Sequence, residues 1–507
     1  MKTHIQTAIN SALRAADPVH ALRACVSSSC PESKRMAILG MPSPLDMSCA
    51  PCAYVYGAGK ASVGLASELV KILDFLGVTC GGGVVVTKYG HAGVGERATL
   101  AAAGVSVLES GHPVPDLQSA KGAEEMLRCV SSMPRGAAVF FCLTGGASSL
   151  LSLPVPGISQ MELSQLTSSL LASGAPITPL NSVRKHCSRI SGGRLGEAIL
   201  GTGASALITF AVSDVMGDAL DVIGSGPTVP DSSTYEDALN CLETYGVTAP
   251  PAILEHLKRG VEGRVSETPK DWLQGRQLAP LPTQTPSFVA PHICLLASNS
   301  TAVQAAKSSL VESLAAVSVA AIGSAVKVRV LETPLTGDAR EVASSLAGEL
   351  VREASLLSNG QMNQGGTTTL VLVGGGETTV TVEGGLEKGG KGGRNTEAAL
   401  AFALAMMMMT EKEQLQHEPQ QPFVEEPQWC AAFLATDGSD GPTDCTGAVV
   451  CNATLQQAGT VGAVGALQSH DSYTYLKKAE SALLFTGPTG TNVCDVWIAA
   501  MEFKVKK

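Results

Sequence analysis

Along the chain, a short apolar run ends again and again in a small, polar, glycine-rich turn. Ala53–Tyr56 runs into Gly57-Ala58-Gly59-Lys60, Gly83–Val86 into Thr87-Lys88-Tyr89-Gly90-His91, and Ala138–Leu143 into Thr144-Gly145-Gly146-Ala147-Ser148-Ser149. Ala206–Val212 runs into Ser213-Asp214-Val215-Met216-Gly217-Asp218, and Ile293–Leu296 into Ala297-Ser298-Asn299-Ser300. Leu370–Val373 runs into Gly374-Gly375-Gly376-Glu377, Ala431–Ala435 into Thr436-Asp437-Gly438-Ser439-Asp440-Gly441, and Ala482–Phe485 into Thr486-Gly487-Pro488-Thr489-Gly490-Thr491-Asn492. Apolar runs without strict alternation suit strands buried on both faces.

Helical patterns lie between these runs, over Ser62–Leu76, Asp116–Ser131, Ser159–Ser173, Ser300–Leu314, Gly337–Leu356 and Asn395–Met409. Strand alternating with helix predicts an α/β fold with largely parallel sheets. In such sheets ligands bind beyond the carboxyl ends of the strands, and that is where the glycine-rich turns fall. Two stretches, about 258–291 and about 411–428, are rich in Pro, Gln, Thr or Glu without periodicity and read as surface insertions. Asn359–Thr369 reads as the boundary between a domain over 1–358 and one over 359–507.

Composition adds two points. The chain has 507 residues, 54 of them Gly, and clustered Gly brings backbone close to something. Its net charge of −10 argues against a nucleic-acid partner, which would need basic patches. The longest apolar run, Ala398–Met409, is too short for a membrane span of about twenty residues. Residues 1–23 lack a signal-peptide core and the last residues are no peroxisomal address, so the expected location is the cytoplasm. The fourteen cysteines read as reduced thiols, most of them small core residues.

The turns carry the candidate chemistry. Gly57-Ala58-Gly59-Lys60 opens a helix, where backbone amides attract anions and Lys60 adds a full charge. It is not a Walker A loop, and a tight turn with a solvated lysine is the plain alternative. Gly384–Asn395 is a second glycine-rich loop before a helix. Its Gly385-x4-Gly390-Lys391 start is followed by Gly392 where magnesium would need Ser or Thr, and Arg394 supplies a planar fork suited to phosphate or carboxylate. Asp214 and Asp218 follow one strand, and Asp437, Asp440 and Asp444 another. Such carboxylates can hold Mg²⁺ with phosphate oxygens or accept a hydroxyl proton, but Asp-Gly is also ordinary turn chemistry.

Arg184 and Lys185 stand in a basic segment that either clamps an anionic substrate or forms a solvated helix face. His112 precedes a helix and reads equally as loop structure or as a functional side chain. Ser148 and Ser149 follow Gly145-Gly146 without a nucleophile-elbow pattern, which argues against a serine hydrolase. Two cations on glycine loops and two acidic strand ends fit phosphoryl transfer to a small acceptor. A nicotinamide dehydrogenase is the rival, although Ser62 stands where the third fingerprint Gly belongs. A non-catalytic protein that binds a small acid is the third reading.

These motifs together resemble the class II glycerate kinases, whose C-terminal part is called the MOFRL domain. The resemblance rests on Gly57–Ala61, Gly111–Asp116, Leu143–Leu150, Asn181–Lys185 with Gly192–Leu195, Ser213–Asp218, Gly224–Thr228, Gly374–Glu377, Gly392–Asn395, Thr436–Asp444 and Gly487–Asn492. It implies two α/β domains, Rossmann-like or mixed-sheet, with the active site in the interdomain cleft. It implies a kinase that transfers the ATP γ-phosphate to D-glycerate with Mg²⁺, giving 2-phosphoglycerate or 3-phosphoglycerate. Lys60 and Arg394 fall on the family's expected catalytic pair, with Asp214 as the third catalytic candidate.

On the same resemblance, Gly57, Gly59, Gly145, Gly146, Ser148, Ser149, Gly375, Gly376, Glu377, Asn395 and Asp437 are expected to face the nucleotide. Arg184, Lys185 and Asp218 are expected at the substrate, with Asp214 and Asp218 also expected at the metal. The sequence departs from the family pattern at Cys451-Asn452 and at Thr396-Glu397. A hydroxypyruvate reductase stays open as the alternative activity, and a homodimer is compatible with the sequence.

Overall fold

The computed structural model describes residues 1–27, 30–272, 288–318, 324–359, 366–382, 390–415, 423 and 425–504. Parts of both expected insertions, most of the expected 359–369 boundary and the start of the second glycine-rich loop lie outside the described residues. The chain forms two compact units, one of residues 18–296 and one of residues 1–17 together with 297–507. The units therefore meet along the chain at 17/18 and 296/297, not at 358/359. The reason is strand pairing: Ala325–Val330 and Leu335–Asp338 both lie parallel to Thr367–Thr379 in one sheet, so 297–358 cannot leave that unit.

The 18–296 unit is built on a six-stranded sheet. In chain order its strands are Ala53–Ala58, Cys80–Lys88, Val105–Ser110, Ala138–Leu143, Ala206–Val212 and His292–Ala297, and in space they run third, second, first, fourth, fifth, sixth. The first five pair in parallel. Ala138–Leu143 and Ala206–Val212 are buried at every residue, as a sheet covered on both faces requires. The strand order reverses between Ala53–Ala58 and Ala138–Leu143, the switch point at which doubly wound sheets open a crevice. A second core forms among the helices Gln160–Ala172, Ile177–His186, Tyr235–Thr244 and Pro251–Val261.

The other unit has a seven-stranded sheet in which the expected parallel order fails. Thr367–Thr379, Asp495–Lys504, Gln428–Ala435, Gly447–Cys451 and Leu483–Leu484 run antiparallel to their neighbours in turn. Gln428–Ala435 and Gly447–Cys451 are joined by a short loop with no crossover helix, and only antiparallel neighbours can be joined so. The helices Ala339–Asn359 and Arg394–Leu415 cover one face over Leu370, Leu372, Phe433, Trp497 and Ala499. Alternate strand residues such as Val371, Val373, Leu434 and Ile498 turn the other way. The helices Lys2–Ala16 and Asn299–Ser318 pack together and onto these same strands. No described helix is long and apolar enough to cross a membrane.

Candidate active site

In the 18–296 unit, five strand ends converge on the switch point. Gly57, the fifth residue of the first strand, lies against the Cys142 backbone, where a side chain would crowd. At Gly59, with φ +129°, a Cβ would stand 2.1 Å from the Thr144 hydroxyl, so only glycine lets the two loops meet. The meeting uses up the loop's amides. Gly59 N–H donates to Val86 O (3.1 Å), Lys60 N–H to Gly145 O (2.9 Å) and Ala61 N–H to the Thr144 hydroxyl (3.1 Å). An anion there is met by the Lys60 ammonium rather than by the amides that the sequence suggested.

The neighbouring turn is different. Among the described residues no backbone carbonyl outside the helices and strands takes the Gly145 or Gly146 amide. Gly145 lies against Asp214, whose Oδ2 is 2.6 Å from a Gly145 Cβ position. Gly146, with φ +86°, lies against the His112 ring, whose Nε2 is 2.9 Å from the corresponding point. Burial pushes the His112 imidazole down to about 4, and the nearby Lys60, Lys88 and His91 add to that shift. The Ser148 hydroxyl pairs with that of Ser225 (2.8 Å), while the Ser149 hydroxyl is spent on Gly146 O. Asp218 sits half-buried on the Asp214 loop with φ +54°.

The two expected substrate cations part company. Arg184 NH2 donates to Ser148 O (3.3 Å), which puts its guanidinium beside the Gly145–Ser149 turn, and burial lowers its affinity for its proton. Lys185 is 3% exposed, and its Nζ is held by Asp221 (2.9 Å) and the fully buried Asp231 (3.1 Å). Adjacent residues on a helix point about 100° apart, so one faces the turn and the other the interior. The Lys185 ammonium is thus engaged by two carboxylates of its own fold.

In the other unit, Arg394 begins the helix Arg394–Leu415 and lines a cavity of about 610 Å³ with Glu377, Gly392, Gly393, Glu397 and His470. Its guanidinium grips Asp495 through Nε and NH2 and reaches Glu377 at 3.2 Å. Burial pushes Asp495 up to about 6 against the pull of Arg394. Two bonds to Asp495 and one to Glu377 leave part of a five-donor fork for a ligand.

The helix N-terminus is already taken. The buried Asp440 carboxylate accepts from Asn395 N–H and Thr396 N–H, both 2.8 Å, where the sequence suggested a phosphate. Asn395 is buried and accepts from Trp497 Nε1 (2.8 Å), so it faces the core rather than a nucleotide. Thr396 caps this turn through Gly393, and Glu397 is bound by Arg340 and His470. The family departure at Thr396-Glu397 is thus filled by residues with partners of their own.

Gly375 and Gly376 do not form a loop, because the strand continues through them to Thr379. A Cβ on Gly375 would stand 1.8 Å from Asn299 Oδ1, and one on Gly376 2.1 Å from Leu335 O. These glycines admit close neighbours, not phosphate. Asp437 is half-buried and closes its own turn with Ser439 N–H (3.1 Å). Sequence reasoning assigned no role to Lys88, His91, Ser225 or Asp495. Lys88 and His91 lie in a strand-end turn that was visible, and Asp495 lies three residues past the last quoted motif.

Residues 4–258 match a domain of unknown function, DUF4147, and residues 370–495 match the MOFRL family. A glycerate 2-kinase from Pyrococcus horikoshii is 36% identical over 98% of this chain and 96% of its own. The chain belongs to the glycerate kinase family. The crystal structure of glycerate kinase from Thermotoga maritima superposes with a TM-score of 0.71 at 31% identity, covering 98% of this chain and 99% of that one. A relative from Agrobacterium vitis, 34% identical over 87% of this chain and 85% of its own, bears hydroxypyruvate reductase as a provisional name. Within the glycerate kinase family, the motifs at Lys60, His112, Gly145-Gly146, Asp214 and Arg394 thus fall on the strand and helix ends described above.

Proposed function

We propose that this protein transfers the γ-phosphoryl group of ATP to a hydroxyl of D-glycerate, giving 2-phosphoglycerate and ADP. One observation carries the reading: Lys60, His112, the Gly145–Gly146 turn and Asp214 converge at the switch point of a parallel sheet, in a chain of the glycerate kinase family. Phosphoryl transfer asks a protein mainly for positioning and for charge stabilisation. Lys60 is the cation proposed to offset phosphate charge at this switch point. Arg184, beside Ser148, is proposed to hold the glycerate carboxylate.

Magnesium suits this site. It keeps several waters and needs only one or two protein carboxylates besides phosphate. Asp214, pressed against Gly145, with Asp218 on the same loop, would hold it. Bound there, Mg²⁺ would offset the negative charge that develops on the transferring phosphoryl group.

The paired amides of Gly59, Lys60 and Ala61 weigh against the reductase. A dinucleotide pyrophosphate binds to free amides at that first turn. The test is to incubate the protein with D-glycerate, ATP and Mg²⁺ and follow the products by phosphorus NMR. A 2-phosphoglycerate resonance supports the reading. Unchanged ATP, or NADPH oxidation with hydroxypyruvate in a parallel assay, would overturn it.

A further inference from the structure

Resting on the kinase reading above, we propose that His112 is a catalytic residue: its imidazole takes the proton of the glycerate hydroxyl that attacks the phosphate. The ring's position is fixed from three sides. The loop that carries it leaves the strand Val105–Ser110 and ends in Asp116, which caps the helix Leu117–Ser131 through Gln118 and Ser119 amides. Tyr89 hydroxyl donates to the same Asp116 carboxylate (2.8 Å), which pins the loop to the neighbouring strand end. The ring itself lies on Gly146, where any side chain would strike its Cδ2 and Nε2. The glycine and the imidazole are matched in shape, and Nε2 lies at the Gly145–Gly146 turn.

The surrounding charges explain what the ring can do there. Lys60, on the loop between the first strand and its helix, and Lys88 and His91, on the turn after Cys80–Lys88, face it and disfavour the imidazolium, as does burial. Across the turn, the carboxylate beside Gly145 is Asp214. In the free protein the imidazole is therefore neutral, with one nitrogen donating and the other accepting. A phosphate bound among Lys60, Lys88 and His91 cancels much of their field. The basicity of His112 then rises toward that of an ordinary histidine, so the base becomes effective once the phosphoryl donor is in place.

In the step itself the glycerate oxygen bonds to the γ-phosphorus while its proton passes to His112. The bond from that phosphorus to the bridging oxygen breaks, and ADP leaves with the electron pair. On this reading the proton goes to His112 and the proposed metal contact to Asp214, which separates two roles that the sequence left shared.

The test compares full-length wild-type protein with His112→Gln and His112→Ala, measuring kcat and kcat/KM for D-glycerate between pH 4 and 9 and ATP affinity by calorimetry. Wild-type kcat/KM is expected to fall on the acid side near pH 4, and kcat to fall at a higher pH, because phosphate is bound in that state. Both variants are expected to lose about 100-fold or more in kcat, to bind ATP as before, and to lose the acid limb. Lys88→Met offers a second measurement in which the imidazole is kept: its kcat/KM limb is expected to move to higher pH. Variants that keep wild-type kcat, or that slow uniformly with the acid limb intact, overturn the role, as does an unmoved limb in Lys88→Met. A wild-type protein that makes no phosphoglycerate sinks the kinase reading and this role with it. An active wild type matched by His112→Gln sinks this role alone.

Discussion

The guanidinium of Arg394 holds Asp495 by two parallel hydrogen bonds, Nε to Oδ2 at 2.6 Å and NH2 to Oδ1 at 2.7 Å. Asp495 is buried, while Arg394 reaches the cavity surface. Removing the arginine alone leaves a carboxylate unpaired in the interior. Arg394→Met is expected to cost about 3–5 kcal/mol in urea denaturation, and Asp495→Asn less, since the remaining charge is the more exposed one and keeps Glu377. Loss of activity in Arg394→Met therefore has to be read beside its stability, and Arg394→Lys, which keeps the charge without the fork, is the cleaner kinetic variant.

Lys60 is half-buried just past the end of the first strand. Lys60→Ala is expected to lower turnover by orders of magnitude, with a melting curve close to wild type. An unchanged rate would remove Lys60 from the chemistry.

Much of the fold of the 18–296 unit was legible because most of its buried apolar runs stop at a glycine-bearing turn, and the helices between them carry clear periodicity. Asp495–Lys504 was missed because no glycine turn follows it, and Val105–Ser110 because Ser106 interrupts its apolar character. The position of a candidate residue was legible where a turn stays at a strand end, as at Lys60 and Gly145-Gly146. It was not legible where the partner comes from far along the chain. Nothing local tells that Asp440 will cap the helix at Arg394, or that Asp221 and Asp231 will claim Lys185 while Arg184 next to it stays at the turn. Gly374-Gly375-Gly376 reads as a loop until the strand Leu335–Asp338 and the Asn299 side chain are seen pressing on it.

Lys185 separates the structural reading from a substrate clamp. Lys185→Met leaves Asp231 buried without its cation, and a loss of about 3–5 kcal/mol in stability is expected. A clamp would instead raise KM for glycerate with little change in the unfolding midpoint.

Gly375 acts on Arg394 at a distance. It leaves room for Asn299, whose amide holds the backbone carbonyls of Val493 and Asp495, both at 2.8 Å. Gly375→Ala forces these groups apart and is expected to destabilise by about 1–3 kcal/mol. It should also weaken nucleotide binding if Asp495 shifts under Arg394. Calorimetric unfolding and ATP titration of the one variant measure both effects.

His112 also leaves a mark on stability. Its folded value lies near 4, and an unfolded histidine titrates near 6.5. Between those values the unfolded chain binds more protons, so this residue makes the fold less stable as pH falls from about 6.5 toward 4. His112→Gln is expected to show a shallower loss of stability across that window in denaturation curves taken at successive pH values.

The helix Lys2–Ala16 belongs with residues 297–507, where it packs on Asn299–Ser318 and where Thr491 hydroxyl donates to Ala16 O at 2.6 Å. On the ribosome its partner lies about 280 residues downstream, and at roughly 5–20 residues per second that is a wait of about 15 s to a minute. Throughout it, the stripe of Ile5, Ala8, Ile9 and Ala12 has no surface to cover it while the 18–296 unit is being made. Lys2–Ala16 is thus made well before the helix it docks on, and the nascent chain offers that stripe to chaperones or to neighbouring chains until Asn299–Ser318 has been made.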